Sequence, residues 1–125
     1  MAIIGIDVGT SGCKVCAFDL RGKVLSTAGR KYTERRGNGI REIEPDTVRE
    51  RVFESLKEAV LNCPEPVQAI AVTCLGESLV ILDEQDRVLR NSMVTGDNRG
   101  QEGVDKICQE FGADYAFAVS GLMPS

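Results

Sequence analysis

An acidic residue followed by a glycine-rich loop with two hydroxyls occurs near the start of the chain, in IIGIDVGTSGCKVCAFDL (3–20). Asp7 lies within an apolar run, and Gly-Thr-Ser-Gly (9–12) follows two residues later. Glycines let successive backbone N–H groups point into one concavity that binds an anion, and the hydroxyls of Thr10 and Ser11 add donors. A carboxylate that can hold hydrated Mg²⁺ beside a phosphate-binding loop is the combination that phosphoryl transfer requires.

The same residues also fit an ordinary β-hairpin with a glycine turn. The stretch lacks the G-x-x-x-x-G-K-[ST] spacing of a P-loop and the G-x-G-x-x-G of a dinucleotide-binding turn. We expect Asp7 to be buried, because it interrupts an apolar strand, and a buried carboxylate needs a cation or hydrogen bonds to compensate it. Lys14 adds a positive charge near the loop, although a lysine on a strand can also be only a solvated side chain.

Composition excludes several classes of protein. The 125 residues suit one domain with a hydrophobic core. The net charge is −4 and no basic block is present, which argues against nucleic acid as a partner. No apolar stretch approaches the roughly 20 residues of a membrane span, and the N-terminus lacks the pattern of a signal peptide. We therefore expect a cytoplasmic protein with no membrane contact.

The five cysteines are predicted to be free thiols, as is usual in that compartment. Cys13 and Cys16 form a C-x-x-C pair, which is compatible with a zinc or redox site. The pair lies in a predicted strand, however, where residues three apart face opposite sides. The chain has no second such pair and no histidine, so metal binding by this pair is disfavoured.

The first elements are predicted to be three strands, 3–8, 13–19 and 23–32, in an antiparallel meander. Residues 33–44 are polar and are expected to form a loop. A helix should begin at Pro45 and end before Pro64. Its predicted apolar face comprises Val48, Val52, Phe53, Leu56, Ala59 and Val60.

Residues 67–74, VQAIAVTC, predict a strand that is buried on both faces and joins the same sheet by a crossover. Residues 79–83 and 87–89 predict a hairpin, and 98–111 a helix that ends at Gly112. The last dozen residues predict no element. The chain is thus expected to be an α/β domain with a mixed sheet.

Four segments together resemble a known family. GIDVGTSGCKVCAFD, followed by a third strand, resembles the first phosphate motif of the actin, Hsp70 and sugar-kinase superfamily. EIEPDTVRERV (42–52), AIAVTCLGESLVILDEQDRVL (69–89) and NSMVTGDNRG (91–100) resemble successive motifs of the FGGY carbohydrate kinases, the group containing glycerol kinase and xylulokinase. The order and spacing match from residue 3 to about 105. The resemblance implies a ribonuclease H-like fold.

The resemblance also implies the site residues, with ATP and Mg²⁺ as cofactors. Asp7 would help to hold the metal, and the phosphate would contact Gly9, Thr10, Ser11 and Lys14. The sugar or polyol would contact Gly76, Glu77, Ser78, Asp97 and Arg99. Two alternatives remain: Glu77 as a solvated turn residue, and Arg99 as an ion-pair staple of its loop.

Two departures from the family pattern affect the substrate. Thr95 stands where an aromatic residue usually precedes the aspartate, and Cys-Leu-Gly-Glu (74–77) replaces the Q-M-H-G turn of xylulokinases. The G-E-S form of the turn resembles a sub-branch of loosely assigned sugar kinases. The substrate is therefore expected to be a ketose or polyol, with the individual sugar open.

Length is the largest departure, because FGGY kinases are several times longer and have two domains. Residues 1–125 should be the N-terminal part of the first, sugar-binding domain, with the general base and the second domain beyond them. The full-length enzyme, for which a homodimer is open, would phosphorylate a hydroxyl, and this chain alone would be inactive. The alternatives are an Hsp70- or actin-like ATPase and a non-catalytic sugar-binding module.

Overall fold

A computed structural model describes residues 1–76 and 78–124. The elements in chain order are β1 (Ala2–Val8), β2 (Gly12–Asp19), β3 (Val24–Lys31), β4 (Arg35–Gly37), β5 (Ile40–Ile43), α1 (Pro45–Leu61), β6 (Val67–Cys74), β7 (Ser92–Met93), a 3₁₀ helix (Asn98–Gly100), α2 (Gln101–Phe111) and α3 (Ala113–Ser120). No helix in these residues is both long and apolar enough to span a membrane.

The main sheet has the strand order β3-β2-β1-β6. Strand β1 is antiparallel to β2 and parallel to β6, and α1 provides the crossover between the meander and β6. This arrangement confirms the predicted mixed sheet. Alternate residues of the strands pack on α1, and Ile4, Val15 and Ala59 are fully buried between the two layers.

Helix α1 begins at Pro45, as predicted, with Asp46 in its first turn, where a carboxylate interacts favourably with the helix dipole. Its predicted apolar face was only partly right, because Phe53 is 62% exposed and Ser55 is fully buried instead. The Ser55 hydroxyl donates to the Arg51 carbonyl and contacts the Cys13 thiol, so it is satisfied in the core. Burial of this small polar residue allows α1 to lie close to β2.

A second, three-stranded sheet has the order β4-β5-β7. Its first two strands lie in residues 33–44, so the prediction of a loop there was wrong. Gly37 pairs with Ile40, and Asn38 and Gly39 between them both have positive φ, as a two-residue hairpin turn requires. The Asn-Gly dipeptide was the sequence signal for this hairpin.

The predictions for the two following segments also need correction. Residues 79–83 and 87–89 form a hairpin connection, but only the single bridge Leu82–Val88 joins them, and the first segment is not a strand. Its apolar side chains are largely exposed, so no packing supports an extended ladder. The last residues, for which no element was predicted, form α3. Gly112 and Gly121, with φ of +84° and +74°, mark the ends of α2 and α3.

Strand β6 was predicted to be buried on both faces, and this was wrong. Among the described strands it pairs only with β1, and Ile70 and Val72 remain 54% and 64% exposed. These two residues share the face of Ile4 and Ile6, but α1 packs over β2 and β3 and leaves β6 uncovered. The apolar, β-branched sequence of β6 therefore lies at a solvent-exposed edge.

The two cysteines of the C-x-x-C pair face opposite sides of β2, as predicted. Cys13 is buried against α1, and Cys16 contacts the Thr27 hydroxyl on the other face. All five cysteines are free thiols. The pair therefore cannot act as one two-thiol site without rearrangement of β2.

Close strand contact at Gly29 gives a test of this fold. A Cβ atom on Gly29 would lie 2.8 Å from the Cys13 carbonyl oxygen of β2, which is a backbone atom and cannot rotate away. We expect Gly29→Ala to lower the free energy of unfolding by about 1–3 kcal/mol, the usual cost of overpacking. Chemical denaturation followed by circular dichroism measures this change.

Gly103→Ala is the matched control, because the space around Gly103 in α2 is open and its φ is not positive. Alanine should stabilise that helix by up to about 1 kcal/mol. Equal changes in the free energy of unfolding for Gly29→Ala and Gly103→Ala would contradict the close contact between β2 and β3 at Gly29.

Candidate functional site

The loops that follow β1 and β6 meet at one edge of the main sheet. The strands are parallel and in register to their last residues, where Val8 pairs with Cys74. A cavity of about 250 Å³ opens between the two loops. It is lined by Thr10, Leu75, Gly76, Ser78, Val94 and Thr95. The structure therefore brings part of the predicted phosphate loop and part of the predicted substrate turn to a common cavity.

Several hydrogen bonds fix the loop at 9–12. The Gly9 N–H donates to the Gly12 carbonyl at 3.0 Å, which closes the turn. The phenol of Tyr32 donates to the Gly9 carbonyl at 2.5 Å, and the Tyr32 N–H donates to the Ser11 carbonyl at 3.3 Å. From the sequence, Tyr32 was predicted only as the last residue of the third strand, with no role in the loop. Its aromatic side chain at the end of a polar strand was the sole signal of this contact.

The other predicted phosphate residues face a neighbouring groove. Ser11 and Lys14 line an open groove of about 620 Å³ together with Lys31 and Arg30. The Arg30 guanidinium is engaged by Glu58 at 2.5 Å, which raises the pKa of Arg30. Lys14 is exposed, so the groove presents cationic groups to solvent immediately beside the loop.

Asp7 is exposed, and the prediction that it would be buried was wrong. It lies on the sheet face opposite to α1, across from Lys14 on β2 and beside Thr73 on β6. A solvated carboxylate needs no compensating partner, so its presence in an apolar strand is explained by the alternation of β1 alone. Asp7 is a candidate metal ligand because it lies one residue before the end of β1, next to the loop.

The donor set at Asp7 fits Mg²⁺, which proteins commonly bind through one or two carboxylates together with the phosphates of a nucleotide. Among residues 1–76 and 78–124, no group of three or more His, Cys, Asp or Glu side chains could hold a metal ion. A metal held through Asp7 would therefore need oxygen ligands from water and phosphate.

The turn at 76–78, where substrate binding was predicted, is attached to the second sheet by two hydroxyls. The Ser78 hydroxyl donates to the Met93 carbonyl at 2.9 Å, and the Ser92 hydroxyl donates to the Leu79 carbonyl at 2.7 Å. Gly76 lies in the turn and lines the cavity. The predicted sugar ligand Glu77 lies outside the described residues.

Asp97 lies in a dense set of protein donors, and its side chain is only 4% exposed. Its carboxylate accepts from the Arg99 guanidinium at 2.6 Å, the Arg41 N–H at 2.9 Å and the Arg99 N–H at 3.0 Å. The Arg99 hydrogen bond is the main reason why the pKa of Asp97 lies far below its ordinary value. Both oxygens are thus occupied within the protein.

Arg99 also reaches Glu42 at 2.9 Å, and Glu42 accepts from Asn91 at 3.0 Å and Arg35 at 3.2 Å. These contacts, with that of Asn91 the largest, lower the pKa of Glu42. Arg99 therefore connects the 3₁₀ helix to β5, whose partner β7 holds the substrate turn. This geometry favours the interpretation of Arg99 as a staple of the site.

The depressed pKa of Asp97 predicts a specific dependence of stability on pH. A carboxylate whose pKa is lower in the folded state stabilises the fold above its unfolded pKa, about 3.9 for aspartate. That contribution is lost as the pH falls through the folded value. Between about pH 5 and pH 2 the melting temperature of the wild type should therefore fall more than that of Asp97→Asn.

Thermal melts at pH 7, 5 and 3 measure the melting temperatures of the wild type and of Asp97→Asn. The difference between the two melting temperatures should become smaller as the pH falls. Arg99→Met should reproduce the weaker acid dependence, because it removes the largest cause of the low pKa of Asp97. A difference in melting temperature between the wild type and Asp97→Asn that stays constant down to pH 3 would show that ionised Asp97 does not stabilise the fold.

Comparison with known proteins gives a consistent result. The chain is 28% identical to the xylulose kinase of Bacillus subtilis over 114 residues, which cover 88% of the chain and 23% of that enzyme. It is 33% identical to the glycerol kinase of Haloquadratum walsbyi over 113 residues, which cover 86% of the chain and 22% of that enzyme. The chain thus spans about a quarter of the length of these relatives.

Solved structures agree with the sequences. The xylulose kinase from Rhodospirillum rubrum superposes with a TM-score of 0.87 at 25% identity, covering 94% of this chain and 25% of that one. The gluconate kinase from Lactobacillus acidophilus gives a TM-score of 0.85 at 25% identity, with coverage of 94% and 24%. The fold is therefore that of the actin, Hsp70 and sugar-kinase superfamily, as predicted.

The sequence profile of the FGGY family of carbohydrate kinases, N-terminal domain, matches residues 2–124. This match extends over nearly the whole chain and includes the loop, the substrate turn and the Asp97–Arg99 segment. The chain therefore belongs to the FGGY family of carbohydrate kinases.

Proposed function

We propose that the full-length protein transfers the γ-phosphoryl group of ATP to a hydroxyl of a ketose or polyol. The observation that supports this proposal most strongly is the cavity shared by the loop after β1 and the turn after β6. A phosphoryl transferase must hold the phosphate and the accepting hydroxyl next to each other. Membership of the FGGY family supports the same reaction.

The loop would position and neutralise the phosphate. Backbone N–H groups of 10–12 and the hydroxyls of Thr10 and Ser11 can donate to phosphate oxygens. Lys14 would add positive charge from the adjacent groove, and the Asp7 carboxylate would hold Mg²⁺, which neutralises phosphate charge when bound. Catalysis of this kind depends mainly on position and electrostatics.

The turn at 76–78 would contact the sugar. Carboxylates accept hydrogen bonds from sugar hydroxyls, and side-chain hydroxyls can accept or donate them, so Glu77 and Ser78 suit this role. Asp97 and Arg99, whose hydrogen bonds are taken up inside the protein, would position the turn rather than contact the substrate. Relatives act on xylulose, glycerol and gluconate, which indicates a small, linear polyhydroxy substrate.

We expect the 125-residue chain to bind ligands but not to catalyse transfer. It corresponds to about a quarter of its relatives, and the general base and the second domain should lie beyond residue 125. A coupled assay for ADP should detect no sugar-dependent release from this chain. Release above the level of a protein-free control would overturn that expectation.

Ligand binding by the chain can be measured through backbone amide shifts in an isotope-labelled sample. We expect saturable shifts at residues 9–12 with Mg²⁺ pyrophosphate, and at 76 and 78 with one polyol, ketose or sugar acid. Thr10→Val removes one hydroxyl at nearly constant shape and should raise the Kd for pyrophosphate roughly ten- to hundredfold, because a hydrogen bond to a charged group contributes about 1.5–3 kcal/mol. Thr47→Val, at the start of α1, is the matched control and should bind as the wild type does.

The other outcomes separate the alternatives. Pyrophosphate shifts without any sugar response, together with sugar-independent ATP hydrolysis by the full-length protein, would favour an Hsp70- or actin-like ATPase. Sugar binding by a full-length protein that never transfers phosphate would favour a sugar-binding module. A folded sample with no response to either ligand would contradict the assignment of the cavity.

In the full-length enzyme we expect Asp7→Asn to lower kcat far more than it raises KM for the sugar. The reason is that Asp7 would act on the metal and the phosphate rather than on the sugar. The variant should also need more Mg²⁺ for half-maximal rate. An unchanged kcat at every Mg²⁺ concentration would rule out the metal role.

A further inference from the structure

Tyr32 lies directly after β3 with its side chain packed against the loop at 9–12. Its residue exposure is 7%, and it belongs to a buried cluster with Cys13, Ile43 and Val94. The ring is thus held by β2, by β5 and by the segment after β7. A side chain fixed from several elements can transmit their rigidity to the loop it touches.

Two hydrogen bonds from this one residue reach the first and the last peptide units of the loop, Gly9–Thr10 and Ser11–Gly12. The phenol donates to the Gly9 carbonyl at 2.5 Å, and the backbone N–H donates to the Ser11 carbonyl at 3.3 Å. Burial is the main cause that raises the pKa of Tyr32 to about 12, with Cys13 and Asp7 adding to it. The phenol therefore stays protonated, and able to donate, throughout the neutral range.

The direction of these bonds determines where the donors of the loop point. Every peptide bond in the described chain is trans, so the C=O and N–H of one peptide unit point in opposite directions. The Gly9 carbonyl faces Tyr32, so the Thr10 N–H of the same unit faces away from it. The same holds for the Ser11 carbonyl and the Gly12 N–H. Both N–H groups then point away from Tyr32, and an anion that approaches the loop from that direction could accept from them.

We propose that Tyr32 is the positioning residue of the loop, holding the Thr10 and Gly12 N–H groups in the orientation that binds phosphate. This role depends on the phosphate-binding function proposed above. Tyr32 itself would not touch the substrate, because its hydroxyl is used on the Gly9 carbonyl.

Tyr32→Phe removes the phenol donor and keeps the buried ring. We expect the order parameters of the Thr10 and Gly12 amides to fall from about 0.85 towards 0.6, the values for rigid and flexible backbone. The Kd for Mg²⁺ pyrophosphate should rise about two- to tenfold, as expected for one net hydrogen bond. Backbone ¹⁵N relaxation and amide-shift titration of the 125-residue chain measure the two quantities.

Ser26→Ala is the matched control. It also removes a hydroxyl that donates to a backbone carbonyl, that of Ala59 at 2.6 Å, and it lies on β3 but away from the loop. It should lower the melting temperature without changing the order of the loop or the Kd. If Ser26→Ala changes them as much as Tyr32→Phe does, or if Tyr32→Phe changes neither, the inference is overturned.

If the wild type does not bind pyrophosphate, the proposed phosphate site is refuted. The positioning role of Tyr32 is then tested by the backbone order parameters of the ligand-free loop alone. If Tyr32→Phe does not fold, a fluorinated tyrosine with a more acidic phenol can replace Tyr32 in a Tyr115→Phe background, which leaves one labelled residue. Raising the pH then removes the donor within the folded protein. Amides of 9–12 that shift together with the fluorine signal support the inference, and amides that do not shift overturn it.

Discussion

The parallel pairing of β1 with β6 is the constraint on which the rest of this structure depends. Because Val8 pairs with Cys74, the chain leaves both strands at the same edge of the sheet. Neighbouring strands are about 5 Å apart, so the two loops that follow must be close whatever their sequences. The antiparallel strand β2 then returns from the first loop, so this loop is short and held at both ends.

The second loop is less constrained by the main sheet and depends on the smaller one. Ser78 and Ser92 attach the turn to β7, β7 pairs with β5, and Glu42 on β5 is held by Arg99. The carboxylates of Glu42 and Asp97 are largely buried and are joined by the partly exposed Arg99 in one network, which gives these charged groups a defined geometry. The candidate site is thus formed by two sheets, the main sheet behind the loop at 9–12 and the smaller sheet behind the turn at 76–78.

The sequence was sufficient for the elements whose pattern is local. The meander, α1 and α2 follow from alternation, Pro45 and Gly112, and the family motifs identified the loop and the turn. The exposure of Asp7 and β6 could not be predicted, because burial depends on which elements pack on a strand and not on the strand itself. The hairpin at Asn38–Gly39 was predictable from its dipeptide, whereas the bonds from Tyr32 to Gly9 and Ser11 join residues 23 and 21 positions apart and have no local pattern.

Strand β6 is an edge strand that lacks charge and proline, and the one irregularity in its pairing with β1 lies at its start, opposite Ala2 and Ile3. Natural edges carry lysine, proline, a bulge or a short length, and VQAIAVTC has eight residues with no charge and no proline. Its side chains are those of an interior strand. Such a composition is typical of interior strands, whose backbone and two faces are shielded from water by a further strand or layer. The residues of β6 therefore match those of a strand with neighbours on both sides, whereas among the described strands only β1 pairs with it.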